Sequence, residues 1–163
     1  MRIAKSSHPF LIAASFLIAI VLTLLPLPQW AIWIRPQWVL SLLIYWILAA
    51  PDRCGVGFSF SVGLFLDILT GTPLGLQVFI FVLLAFFVLN YQRVIAHFSV
   101  WQKAWVVGIF AMTNALMQGW LLVWLDHGAF HLLYVLSAVT TGLIWPFLSI
   151  TLDRLRPRVL IHV

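Results

Sequence analysis

Residues 55–75 read GVGFSFSVGLFLDILTGTPLG. Small side chains stand at Gly55, Ser59 and Gly63, Asp67 follows at the same four-residue interval, and Gly71 and Gly75 continue it. Positions four apart share one face of an α-helix, so the pattern predicts a helix with a narrow small-residue stripe ending in a carboxylate. In lipid, packing rather than hydrophobic expulsion holds helices together, and such a stripe lets two backbones approach closely. Gly71-Thr72-Pro73 then breaks the helix before the next apolar run. An acid in an apolar spanning helix costs about 2.5–3.5 kcal/mol at the bilayer centre and less near its edge, so Asp67 requires a partner or an aqueous pocket.

The rest of the chain has the same character. Of its 163 residues, 64% are hydrophobic and 8% charged, against roughly half and a quarter in a soluble domain. So few charges cannot cover a soluble surface, which excludes an ordinary cytosolic enzyme, a disordered tail, a collagen-like rod and a disulfide scaffold. The net charge of +5 comes from nine Lys and Arg against four Asp, with no Glu. The cations are scattered singly between apolar runs, as loop anchors are, and no nucleic-acid partner is expected. Cys54 stands alone and reads as a small packing residue near a helix end.

A crossing helix needs about 20 apolar residues. Charge-free blocks and breakers place six spans near residues 10–25, 38–50, 55–70, 74–89, 104–125 and 130–152. The expected fold is an all-α polytopic membrane bundle, a single domain over residues 1–163. Six spans leave both termini on one side. Arg2, Lys5, Arg53, Arg93, Lys103, Arg154, Arg156 and Arg158 then share that side, opposite Arg35, and the excess of cations makes it the cytoplasm. Trp30, Trp33, Trp38, Trp101, Trp105, Trp120 and Trp124 fall near span ends, as anchoring belts do. Arg2 and Lys5 precede an apolar stretch with no small-x-small cleavage site, which predicts an uncleaved first helix.

The polar residues inside the spans carry the candidate sites. Arg35 begins the second span at a depth similar to that of Asp67, which predicts an ion pair between them, with the amino end of the fourth span as a second source of positive potential. An acid solvated at the membrane surface is the equal alternative. Asn114 and Gln118 lie one turn apart beside Gly108, Ala111, Ala115 and Gly119. Their amides need partners, which predicts a buried interhelical hydrogen bond in preference to a ligand site. Ser137, Thr140, Thr141 and Gly142 precede Trp145-Pro146, where hydroxyls can satisfy carbonyls that the proline frees at a kink. Asp126, His127 and His131 form a solvated interfacial cluster rather than a metal site. No phosphate loop, G-x-S-x-G elbow or H-E-x-x-H is present, and no catalytic residue, metal or cofactor is expected.

Gly57-Phe58 through Gly63-Leu64-Phe65-Leu66-Asp67, followed by Gly71-Thr72-Pro73-Leu74-Gly75, resembles the G-L-x-x-D-x-x-x-G-x-x-x-G signature of the MreD family of bacterial rod shape-determining proteins. Arg35-Pro36 with Trp38, the Tyr45-Trp46 helix, and Gly142-Leu143-Ile144-Trp145-Pro146 before Arg154 and Arg156 are also similar to that family. The resemblance implies a non-enzymatic subunit of the cell-elongation machinery in the bacterial inner membrane. It implies association with the bitopic protein MreC, and through it with MreB filaments, RodA and its penicillin-binding transpeptidase. It makes Gly63, Asp67, Gly71 and Gly75 motif positions of architectural role, and it implies a six-helix architecture similar to substrate-binding subunits of vitamin transporters. Two functions follow as expectations. In the first, a scaffold presents small-residue grooves, with Arg35, Gly55, Ser59, Gly63, Asp67, Gly71, Gly75, Asn114 and Gln118 as helix-packing or partner-binding positions. In the second, a small-molecule or lipid binder has Arg35, Asp67 and Asn114 lining an outward pocket. Membrane lipids are expected neighbours in both, and a homo-oligomer is left open.

Overall fold

The computed structural model describes residues 9–125 and 134–155. Helix α1 (Pro9–Leu24) opens on a proline, tolerated in a first turn, and stops before Pro26 and Pro28. A single turn, α2 (Gln29–Ile32), starts behind Pro28. Then come α3 (Trp38–Ala49), α4 (Val56–Thr70), α5 (Leu76–Asn90) and a short α6 (Gln92–Ala96). The two longest helices are α7 (Val100–Trp124) and α8 (Tyr134–Leu155). No strand occurs among the described residues.

The six longer helices fall on the six expected apolar segments, and local capping chemistry accounts for the displaced ends. α7 begins ahead of the expected residue 104 because Ser99 caps it. The Ser99 hydroxyl accepts from the Gln102 N–H at 3.3 Å, and the Gln102 side chain accepts from the Ser99 N–H at 2.9 Å. α5 begins at Leu76 because Gly75, at φ 106°, is its cap. The one-turn helices α2 and α6 are additions that apolar runs alone do not mark.

α3 is the centre of the bundle. Every residue from Val39 to Ile47 is buried, and the helix packs on α1, α5, α6, α7 and α8. An apolar helix without a polar face is one surrounded on all sides. α4 packs along α5 and α7 along α8; a glycine sets the distance in the first pair, while a Cβ would still fit in the second. A Cβ on Gly63 would lie 2.7 Å from the Val78 Cα, while one on Gly142 would lie 3.5 Å from the Ala104 carbonyl oxygen.

The periphery is apolar too: Phe10 is 83% exposed, Trp124 80% and Phe147 79%. In water such a surface would aggregate; against lipid it is the favoured face. Residues 100–121 and 134–155 are long and apolar enough to cross a bilayer. α1, α3, α4 and α5 have 16, 12, 15 and 15 residues. At about 1.5 Å per residue they reach roughly 18–24 Å, short of a core about 30 Å thick.

Candidate functional site at the polar end of the bundle

The carboxyl ends of α1 and α4 and the amino ends of α3, α5 and α8 meet around a cavity of about 250 Å³. Asp67, in the last turn of α4, is fully buried behind the cavity wall, bonded to Thr72 and Gln77 that line it. It accepts hydrogen bonds from the Thr72 hydroxyl at 2.8 Å, the Gly75 N–H at 2.9 Å and the Gln77 N–H at 3.1 Å. The last two are free amides of the first turn of α5, so the carboxylate of one helix caps the next. The partial positive charge of that helix end opposes the negative charge. The loop between them turns on Gly71, at φ 67°, and Gly75, at φ 106°, values that residues with a Cβ rarely adopt. The amino end of this helix is thus the source of positive potential expected from the sequence.

The expected ion pair is absent. The Arg35 guanidinium donates through its two Nη atoms to the carbonyls of Thr23 and Leu25, at the end of α1. Those carbonyls lack helical donors and carry the negative end of the α1 dipole. Arginine and aspartate each settle on a helix end of opposite polarity and do not pair with one another.

Gly55, Ser59 and Gly63 do share the face predicted for them. Ser59 is fully buried and donates to the Gly55 carbonyl at 3.0 Å, while Gly63 lies against the α5 backbone. The stripe is therefore internal packing between α4 and α5, not a free groove for a partner.

Asn114 is buried, and its amide donates at 2.7 Å to the side-chain oxygen of Gln37; Gln118 donates to Asn114 at 3.3 Å. Gln37 is the residue that sequence reasoning missed. Standing at the cap of α3, it donates from its side chain to the Ala111 carbonyl at 2.9 Å and from its backbone to the Thr141 hydroxyl at 3.0 Å. Ser137 donates to the Arg35 carbonyl at 2.7 Å, so the approach to α3 is tied to both α7 and α8. The one pointer in the sequence was indirect, the expectation that the Asn114 amide needs a partner.

The hydroxyls ahead of Pro146 behave differently from expectation. Thr140 and Thr141 donate to the Leu136 and Ser137 carbonyls, a turn above the Gly142 carbonyl that the proline leaves without its helical donor. At the far end of the bundle, Tyr45 donates to Asp153 at 2.6 Å and the Trp46 indole to Ser15 at 2.9 Å, fastening α3 to α8 and α1. Burial pushes the Cys54 thiol up to about 11, against the opposing pull of Arg53. Among the described residues no group of three His, Cys, Asp or Glu is placed to hold a metal. Asp126, His127 and His131 lie outside the described residues. With its oxygens occupied by amide and hydroxyl donors, Asp67 is built as a structural clasp.

A family model described as rod shape-determining protein MreD matches residues 4–155. The Rod shape-determining protein MreD of Haemophilus influenzae is 29% identical over 153 residues, covering 94% of each chain. No solved structure matches.

Proposed function

Since the chain belongs to the MreD family of rod shape-determining proteins, we propose that it is a non-enzymatic scaffold of the cell-elongation machinery in the inner membrane. In this reading six helices cross the bilayer with both termini in the cytoplasm, and the bundle binds the single helix of MreC. MreC in turn links it to MreB inside and to RodA and its transpeptidase outside. The clasp of Asp67 and the amide network hold the bundle rigid, as a platform for a partner must be.

The observation that carries the reading is an open groove of about 460 Å³ between α7 and α8. Its floor is made of small residues, Ala104, Gly108 and Gly142, and its walls of Trp101, Trp105 and Leu143. Small-residue floors are where membrane helices seat closely on one another. Unlike the stripe on α4, this one has no helix upon it among the described residues: a Cβ on Gly108 would meet nothing within 4 Å.

That openness supplies a clean test. Gly108→Leu fills the groove without striking the chain's own backbone, so the protein accumulates normally while MreC no longer co-purifies in mild detergent. Co-purification at the unsubstituted level would overturn the assignment of the groove, and normal rods after clean depletion of the protein would overturn the function.

A further inference from the structure

The cavity at the polar end is left unexplained by a scaffold. Arg35 is the charged residue in its wall, among the described residues. The guanidinium contacts neutral carbonyls, not a carboxylate, and Asp67 is not in the wall, its oxygens being spent on α5. Among the described residues no carboxylate faces the guanidinium. Arg35 Nε is a buried donor without an acceptor. Gln77, across the cavity wall on α5, is 4% exposed, and its Oε1 is a buried acceptor without a donor. Buried polar atoms left unpaired are few in native proteins and each calls for an explanation. The remaining amides are already committed, Asn114 to Gln37 and Gln118 to Asn114, so the two orphans mark what the cavity lacks.

The missing chemistry has two parts. A cation at membrane depth is matched best by an anionic oxygen, since a charge-assisted bond is about twice as strong as a neutral one. The glutamine oxygen is matched by a hydroxyl. Water meets the second demand but leaves the charge standing. The volume of about 250 Å³ lies below the roughly 300–1,000 Å³ of sites for drug-sized ligands, so the occupant is a small group or the head of a larger molecule.

We propose that this cavity binds a small phosphate-bearing polyol of the phosphoglycerol type, its phosphate toward Arg35 and a hydroxyl toward Gln77. The same chemistry comes from two sources, the headgroup of phosphatidylglycerol or free glycerol 3-phosphate. Neither source uses the α7–α8 groove, so the site stands apart from partner binding.

Thermal unfolding of the purified full chain in neutral detergent tests it, with short-chain phosphatidylglycerol, short-chain phosphatidylcholine or glycerol 3-phosphate added. An added phosphoglycerol at about a hundredfold excess over its Kd raises the midpoint by roughly 5–10 °C, and phosphatidylcholine does not. A response to the lipid alone identifies a headgroup site; a response to glycerol 3-phosphate identifies a site open to the free compound. Gln77→Leu keeps the backbone N–H that Asp67 binds and relieves the unpaired acceptor, so its midpoint without additive is not lowered, while its response to the phosphoglycerol weakens at least tenfold in concentration. Where leucine does not fold, Gln77→Met serves. The absence of any response, an equal response to phosphatidylcholine, or an unchanged response in the Gln77 variant overturns the proposal and leaves a cavity that holds water.

Discussion

Asp67 and Arg35 show how a membrane protein disposes of charge without pairing it. The carboxylate rests on amides at the start of α5 and the guanidinium on carbonyls at the end of α1. Asp67→Ala strands two amides and a hydroxyl at a buried site, a loss of about 2–3 kcal/mol from the cap and the unpaired donors. The variant should therefore accumulate poorly or unfold at lower temperature, and unchanged abundance and midpoint would remove the clasp from the account. The Arg35→Asp, Asp67→Arg exchange, restorative for a true ion pair, should be no better than either single change. Cys54 makes the opposite kind of prediction. Its thiol keeps its proton to about pH 11 in the folded chain, against about 8.5 when free. Between those values the unfolded chain sheds a proton that the folded chain retains, so stability contributed at neutral pH fades as pH rises from about 8.5 towards 11. The difference in unfolding midpoint between the native chain and Cys54→Ala, followed across that range, should shrink or reverse; a difference constant with pH would show that the thiol is not held this way.

Between elements, the deciding quantity is how closely backbones approach. Gly63→Ala would put a Cβ at 2.7 Å from the Val78 Cα, and because the obstacle is main chain the two helices must separate. Overpacking of this kind costs about 1–3 kcal/mol, read as a lowered unfolding midpoint; Gly57→Ala, with nothing within 4 Å of the new atom, is the control that should change little. The four-residue interval through Gly55, Ser59, Gly63 and Asp67 made this contact legible, since periodicity reports a shared face. What periodicity omits is the identity of the opposite surface, so the stripe read equally as a partner groove until α5 was seen upon it. Helix ends were hidden for a similar reason. Sequence displays formal charges but not unpaired carbonyls and amides, and a search for the partner of Asp67 finds Arg35 because it is the one cation expected on the same side of the membrane. Gln37 escaped because a single amide ahead of an apolar run carries no pattern. A double-mutant cycle assesses it: Gln37→Leu orphans the Asn114 amide at a cost of about 1–3 kcal/mol, and Asn114→Leu added to it should cost less than the sum of the single changes. Strict additivity would mean that the bond between them contributes nothing.

At the level of the whole molecule, two facts must be reconciled: four of the apolar helices are shorter than a hydrocarbon core, yet the surface is apolar enough to need lipid around most of its girth. Short helices are accommodated by local thinning of the bilayer, by snorkelling of flanking residues, or by non-helical segments sheltered within the protein. The stretch from Pro26 to Gln37 is not sheltered in that way: it lies largely at the surface and is tied down at its end, with Gln37 hydrogen-bonded into α7 and α8 and Arg35 into α1, which leaves thinning and snorkelling to make up the length. In the proposed six-span reading, alternation of the long helices puts Arg53, Arg93, Lys103 and Arg154 at one end and Arg35 at the other, the asymmetry expected of a bundle with its cations in the cytoplasm. Cysteine labelling from one side of the membrane tests both the span count and the orientation. In a Cys54→Ser background, Trp30→Cys, at a position 71% exposed beyond α1, should react with a membrane-impermeant maleimide on intact spheroplasts. Arg93→Cys, beyond α5, should react only after permeabilisation, as should Arg53→Cys beyond α3. If one short helix failed to cross, the residues that follow it would change sides, so the pattern of labelling identifies which helix is at fault. Labelling of Arg53→Cys from outside, with Trp30→Cys protected, would invert the bundle and move the phosphoglycerol cavity to the cytoplasmic face.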